Sequence, residues 1–388
     1  MNIDEIKKRM NVAVGRRSPW EAMWEDCIDY TMPARQSFYS SSAGTERTDR
    51  VFDETPIMAT AEFASRMQSA ILPPGRKWFK FQVSEMVEEA ERRQLQEDLE
   101  QIEDFLYTQI LRSNLDAEVH EAFMDLAIGT CALTVNLDPL GRLVFKTASL
   151  PTIWIEEGPD GRVGGVYRKR QDQTGRGIKA EYPNANVEDE GKSYTVVEAT
   201  LRDYTKQMEE TYQYTIWIEE TNQILVNATY KGWGSNPWIS ARWAETASEW
   251  YGRGPLINIL PAIRSVNLIR ELIYENSELA IGGVWQYDND GTLNPSQIQI
   301  APNTFIPRAP GSRGLEPLQS PSRFDIAEAN LQDLRQTIKR GLFSEEFTPH
   351  GRTPLSAQEI AAKQADLAQR IGSPFSRILK EMVEPIIA

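Results

Sequence analysis

The residue types that carry most catalytic and metal chemistry are thinly spread in this chain. It has two histidines, His120 and His350, and two cysteines, Cys27 and Cys131, all far apart in sequence. None has the neighbours that a zinc site or a nucleophile–base pair needs. His120 falls in a helical stretch and reads as a partly buried structural residue, and the cysteines read as reduced, buried thiols. Asp288-Asn289-Asp290-Gly291 resembles part of a calcium loop, but Gln286 stands at the first ligand position and Gln297 where the bidentate Glu belongs, so it reads as a turn. No GxxxxGK[ST], GxSxG, HExxH or CxxC occurs. Asn227-Ala228-Thr229 matches a glycosylation triplet, with no secretory signal to give it meaning. The pattern predicts a non-enzyme without a cofactor or metal.

Charge narrows the partners. Lys plus Arg is 42 against 56 Asp plus Glu, a formal net charge of -14. That lacks the basic footprint of a tight, nonspecific DNA binder, yet suits a surface past which DNA slides. The start, MNIDEIKKRM, is amphipathic and charged, unlike a signal peptide. No run reaches the roughly 18 apolar residues of a membrane span, so no membrane anchor is expected. The expected compartment is reducing and cytoplasmic. Ten Trp point to packed layers and subunit contacts as readily as to an ordinary core.

The elements that must position any site fall into three blocks. Up to about residue 129 the chain reads helical. Ile3, Ile6 and Met10 share a face, and Ser18-Pro19 looks like a cap and first turn opening a second helix. Ser37 to Thr48 reads as an exposed loop. Helices are expected at about Pro56–Leu72, Ser84–Arg112 and Ala117–Ile128, the second carrying a solvated acidic face. From 130 to 252 the period changes to two. Runs at Cys131–Asn136, Leu143–Thr147, Ile153–Glu157, Val163–Arg170, Tyr194–Tyr204, Tyr212–Glu219 and Ile224–Tyr230 flank turn residues and predict a meander or small barrel.

The last block is the informative one. Gly252-Arg253-Gly254-Pro255 opens a long helix, 253–281, that is apolar on nearly every side though broken by Asn258, Arg264, Asn267, Arg270 and Glu271. Such a helix must be buried all round or packed between neighbours. A low-charge stretch, 282–321, holds short β-runs at Ile298–Ile300 and Thr304–Ile306. A second helix, 322–342, carries Ala327, Leu331, Leu334, Ile338 and Leu342 on one stripe and Asp325, Glu328, Gln332, Arg335 and Lys339 opposite. A loop, 343–354, follows. Ser356-Ala357-Gln358-Glu359 is a capping box that starts a helix to about Ile371, and another helix runs from Phe375. The apolar, uncapped end at Pro385-Ile386-Ile387-Ala388 predicts that the native chain continues. The fold class is α+β.

The order of parts resembles a known family. Val51-Phe52-Asp53-Glu54-Thr55-Pro56, then Ala61-Glu62-Phe63-Ala64-Ser65 and Leu72-Pro73-Pro74-Gly75-Arg76-Lys77-Trp78-Phe79, is similar to the N-terminal signature of portal (head-to-tail connecting) proteins of short-tailed phages. Glu121-Ala122-Phe123-Met124-Asp125-Leu126 running into Gly129-Thr130-Cys131-Ala132-Leu133 resembles that family's helix-to-strand junction. Trp250-Tyr251-Gly252-Arg253-Gly254-Pro255 resembles the entry to its first stem helix, and Ser356-Ala357-Gln358-Glu359-Ile360 with Leu379 to Ile386 resembles its later helices.

The resemblance implies an elongated subunit: a wing (1–252), a first stem helix (253–281), a small α/β clip (282–321), a second stem helix (322–342), a tunnel loop (343–354), and helices returning to the wing and the start of a crown (355–388). It implies a ring, commonly of twelve subunits, in the virion at one capsid vertex, assembled in the host cytoplasm. Double-stranded DNA is packaged and ejected through it. Its partners would be other copies of itself, the packaging terminase, a tail adaptor and the capsid protein. On that plan Glu328, Gln332, Arg335 and Lys339 face the channel, and Glu345, Glu346, His350 and Arg352 lie in a DNA-gripping tunnel loop. Trp285, Ile298, Phe305, Arg308 and Arg313 would form the clip interface. Five acids balance five bases between Arg323 and Pro354, giving weak, slippery DNA contact. Two rivals stay open: another virion ring or tail adaptor, and a metal-dependent nucleic-acid-processing enzyme.

Overall fold

The computed structural model describes residues 2–39, 47–84, 87–206, 209–282, 285–286, 316–317, 324–344 and 371–388. It is a mixed helix-and-sheet fold, as expected. Helix α1 (Ile3–Thr31) starts at Asn2, whose side chain caps it, and runs unbroken through Pro19. The expected helix start at Ser18-Pro19 is therefore wrong. A proline inside a helix removes one backbone hydrogen bond and crowds the preceding turn. Tertiary contacts on both sides of it outweigh that cost. Arg17 is buried and donates to the carbonyls of Pro151 (2.9 Å) and Ile153 (2.6 Å), and Trp24 packs edge-on against Tyr251.

Helices α2 (Thr55–Ile71), α3 (Glu89–Arg112) and α4 (Leu115–Ile128) follow. Two sheets come next. Strands β1 (Thr130–Leu137), β2 (Leu143–Ala148) and β8 (Trp238–Arg242) form one in the order β2-β1-β8. Strands β3 (Ile153–Glu157), β4 (Val163–Thr174), β5 (Ser193–Arg202), β6 (Thr211–Ile218) and β7 (Ile224–Lys231) form the other, an antiparallel meander in sequence order. Helix α5 (Gly175–Glu181) covers part of it. One face of the meander packs on Ile6, Met10 and Ala13 of α1, through Trp154, Tyr167 and Trp217.

Helices α6 (Pro255–Gly282) and α7 (Phe324–Gly341) bracket a short antiparallel pair, β9 (Trp285–Gln286) and β10 (Glu316–Pro317). The C-terminal part holds α8 (Ser373–Ile378), a π-helical turn (Leu379–Val383) and α9 (Glu384–Ile387). The largest core joins α1, α2, α4, β1, β2, β8, the first half of α6, and α7. Arg242 of β8, wholly buried, pairs with Glu157 of β3 at 3.0 Å and with Glu381 at 2.8 Å, tying both sheets to the C-terminal helices.

Candidate channel wall and its anchorage

Helices α6 and α7 pack side by side. Gly341, at the end of α7, lies on Ile259 near the start of α6, so a Cβ there would come within 2.4 Å of the Ile259 side chain. The β9–β10 pair sits at the other end. The two helices therefore run antiparallel and lean together. α6 is not buried all round within the subunit. Leu256, Leu260, Ile263 and Val266 are in the core, whereas Leu268, Leu272 and Tyr274 further along are about half exposed (54%, 45% and 49%).

On α7 the apolar stripe is as expected: Leu331, Ile338 and Leu342 are buried, with Leu334 packed against the core. The polar stripe is less simple. Glu328, Gln332 and Lys339 are exposed, with Gln332 donating to Glu328 at 2.8 Å. Arg335 is instead turned toward the core edge and held by Asp53. At about 100° per residue the middle of the exposed face is Ala329, Asp333, Gln336 and Arg340, and the expected stripe forms one margin of it.

The anchorage of this helix pair is a strap at 50–53. Asp53 is almost fully buried. It accepts two bonds from the Arg335 guanidinium at 2.7 and 3.0 Å and one from the N–H of Thr55, the first residue of α2, at 3.0 Å. Burial works against its charge, but the bonds from Thr55 and Arg335 outweigh it and hold the carboxyl below its usual range. Asn267 of α6, also buried, holds the same strap from the other side. Its amide oxygen accepts the Phe52 N–H at 2.7 Å and its amide nitrogen donates to the Arg50 carbonyl at 2.9 Å. The strap thus binds α2, α6 and α7 at one place.

The end of α7 is fixed in the same manner. Phe343 adopts a left-handed conformation (φ 54°), and the Ser344 N–H reaches back to the Lys339 carbonyl at 2.8 Å. This closes the helix with the geometry usually left to glycine. The Phe343 ring rests against Phe63 and Trp243, and Arg66 of α2 donates to its carbonyl at 2.8 Å.

Three glycines fix where α6 begins. The Gly254 N–H bonds to the Ile128 carbonyl at 2.7 Å, and the Trp243 N–H to the Gly129 carbonyl at 2.8 Å. A Cβ on Gly129 would lie 2.0 Å from the Gly252 oxygen, and one on Gly254 2.1 Å from the Ala127 oxygen. Only bare backbone lets the α4–β1 junction and the α6 entry cross so closely. Two segments that the sequence analysis treated as separate signatures are one contact.

The remaining expected residues place as follows. Trp285 lies in β9, opposite Pro317. Ile298, Phe305, Arg308 and Arg313, the tunnel-loop residues Glu345, Glu346, His350 and Arg352, and the helix expected from Ser356 lie outside the described residues. His120 stands 3.3 Å from the Ser65 hydroxyl, between α4 and α2. Cys27 and Cys131 are buried, and burial pushes the Cys27 thiol up to about 12. Among the described residues no group of three His, Cys, Asp or Glu is placed to hold a metal ion, and no helix is long and apolar enough to cross a membrane. Sequence reasoning missed the part played by Asn267. Its one signal was a short polar side chain inside a run of Val266, Leu268 and Ile269.

The chain is 21% identical to the portal protein of Escherichia phage T7 over 392 residues, 96% of this chain and 70% of that one. Two solved assemblies are similar at lower levels. One is the virion of a native gene transfer agent particle (13% identity, 71% of this chain and 72% of that one, TM-score 0.36). The other is the neck of an empty gene transfer agent particle (14%, 86% and 80%, TM-score 0.39). The model of the family described as bacteriophage head to tail connecting protein matches residues 3–388, nearly the whole length, and the chain belongs to that family.

Proposed function

We propose that the chain is a portal subunit: a structural, non-catalytic component of a ring, commonly of twelve copies, at one vertex of the phage capsid. Double-stranded DNA enters and leaves through the ring. Helices α6 and α7 form its stem. The outer half of α6, through its exposed Leu268, Leu272 and Tyr274, meets the neighbouring copy, and the margin of α7 that carries Glu328, Gln332 and Lys339 lines the channel. Arg335 holds that helix to the wing through Asp53. The segment bracketed by β9 and β10, with Trp285, Ile298, Phe305, Arg308 and Arg313, is the clip that meets the packaging motor and later the tail adaptor. Residues 343–354, with Glu345, Glu346, His350 and Arg352, are the tunnel loop.

The observation that supports this most is the antiparallel α6–α7 pair, fastened midway along its length by Asp53 and Asn267 and carrying exposed apolar side chains on α6 from Leu268 onward. Exposed apolar residues on an otherwise well-packed helix mark a contact surface, and closed rings arise from head-to-tail contacts. Mass photometry and negative-stain imaging of the purified chain test the reading. Annular particles near twelve copies are expected, and Leu272→Asp should release folded monomers from them. A wild-type chain that stays monomeric at micromolar concentration would overturn it.

A further inference from the structure

The four outer edges of the two large sheets are not treated alike. The edge of β2 is closed by side chains, with Asn114 accepting the Phe145 N–H at 2.8 Å and Glu118 accepting the Thr147 N–H at 2.6 Å. The edge of β3 is closed by the Tyr251 hydroxyl, which takes the Ile155 N–H at 3.1 Å, and by Arg17 on the Ile153 carbonyl. The edge of β8 is closed by Glu381, which takes the Arg242 N–H at 2.9 Å. Among the described residues β7 has no such cover.

Register shows which groups are left open. The Gly232 N–H bonds to the Glu210 carbonyl at 2.8 Å, one step beyond the Lys231–Thr211 pair. On the other side of β6 the Asp203 N–H bonds to the Thr211 carbonyl at 2.8 Å. Hydrogen-bonded pairs alternate in an antiparallel ladder. Tyr230, Ala228 and Val226 therefore bond inward to β6, and the N–H and C=O groups of Asn227, Thr229 and Lys231 point away from the sheet. Native proteins shorten, charge, bulge or cover such an edge. Here the strand is eight residues long, carries one charge, Lys231, and after a bulge at Leu225 keeps regular register from Val226 to Lys231.

We infer that β7 is a docking edge that takes an extended segment of another protein of the particle as a sixth strand of the meander. This rests on the virion reading above. An added strand satisfies a regular row of outward backbone groups at this spacing. The two faces of β7 define its side chains. From Val226 on, Val226, Ala228 and Tyr230 make one face apolar, with Tyr230 packed on Tyr214, and Asn227, Thr229 and Lys231 make the other polar; before that a bulge at Leu225 sets Ile224 opposite Trp217. The fitting segment alternates apolar with polar residues and sets an acid beside Lys231. A second copy of this chain would have β7 itself to offer, because its β2, β3 and β8 edges are closed. Pairing β7 with β7 makes a two-fold contact, which stops at two copies and does not repeat around a ring.

Amide hydrogen exchange over 224–231 tests this, compared between the purified chain and phage particles that contain it. The expected result is fast exchange at Asn227, Thr229 and Lys231 in the purified chain and slowing by at least about tenfold in particles, the factor that matches one net hydrogen bond each. Thr229→Pro removes an outward N–H and leaves the β6 ladder whole, as proline does on an edge strand. It should abolish the slowing at Asn227 and Lys231 while the β6 amides stay protected. Fast exchange in both samples would overturn the proposal, as would protection already present in the purified chain, which would assign the edge to this chain or to a second copy. The wild-type comparison stands even if the proline variant fails to fold. A chain that never enters particles would instead defeat the virion reading itself.

Discussion

Arg335 and Asp53 lie 282 residues apart in sequence and meet through two hydrogen bonds of 2.7 and 3.0 Å, with the carboxylate buried and the guanidinium a quarter exposed. The asymmetry sets what each substitution does. Arg335→Met strands a buried charge and should cost about 3 kcal/mol or more in urea denaturation. Asp53→Asn leaves an arginine that can turn toward water and an amide oxygen that still accepts from the Thr55 N–H, and should cost about half as much. The double variant should cost less than the sum. Because the folded Asp53 carboxyl is held below its ordinary value, its contribution is complete above the unfolded value of about 3.9 and fades only as pH falls through the lower folded one. This anchor should stay intact from pH 8 to pH 5.

The glycine crossing predicts a contrast that stability measurements can read directly. Gly254→Ala puts a methyl group against the Ala127 carbonyl and should cost about 3 kcal/mol or more, since backbone on both sides must move. Gly15→Ala, inside α1 and with open space around it, should be neutral or gain about 0.5–1 kcal/mol from helix propensity. Equal costs at the two sites would mean the crossing is looser than its hydrogen bonds indicate.

These two contacts also mark how far the sequence could be read. The strands of the meander were legible because alternating side chains and turn residues such as Pro159-Asp160-Gly161 are local signals. The long helices at α6 and α7 were legible from their composition and stripes. Strand β8 was not, because all five of its residues are buried and no alternation survives. The single helix α1 was hidden by Pro19, whose local preference was overruled by the buried side chains of Arg17 and Trp24. The inward turn of Arg335 was hidden by its place on a polar stripe, since nothing within α7 says that Asp53 waits beside it. Local periodicity carries elements, and long-range pairing carries the site.

Asp125 should make the protein more stable as pH falls from 7 toward 5. Its carboxyl sits on α4, almost wholly buried, with Arg35 3.6 Å away, a bond from the Leu150 N–H, and one oxygen without a partner. Burial pushes it up to about 6, against the pull of Arg35 and Leu150 and with a small push from Glu121. The sign follows from the raised value. Between about 3.9 and 6 the folded state holds a proton that the unfolded state has released, so protonation favours folding over that window. The gain is on the order of 1 kcal/mol between pH 7.5 and pH 5.5, because the full shift is expressed only below both values. Thermal denaturation at pH 7.5 and pH 5.5 would show it, and Asp125→Asn should flatten the difference by raising stability at the higher pH. A wild-type midpoint that falls steadily over this range would contradict the assignment.

The channel margin of α7 gives the prediction closest to function. Glu328 and Gln332 are exposed and bonded only to each other among the contacts described, so replacing both with Lys should leave stability within about 0.5 kcal/mol and leave rings intact. In the proposed ring each copy would then add positive charge along the path of the DNA. Phosphate contact strengthens with each added cation and weakens steeply with salt. Packaging should slow at low ionic strength and recover as salt is raised, while ejected DNA is retained longer. Asp333→Lys, near the middle of the same exposed face but away from that margin, should have the smaller effect if the channel lies where Glu328, Gln332 and Lys339 point. An equal effect would turn the helix in the ring so that Asp333, Gln336 and Arg340 line the pore. Loss of rings without loss of folding would place the Glu328 margin at the contact between neighbours, with the channel on another face.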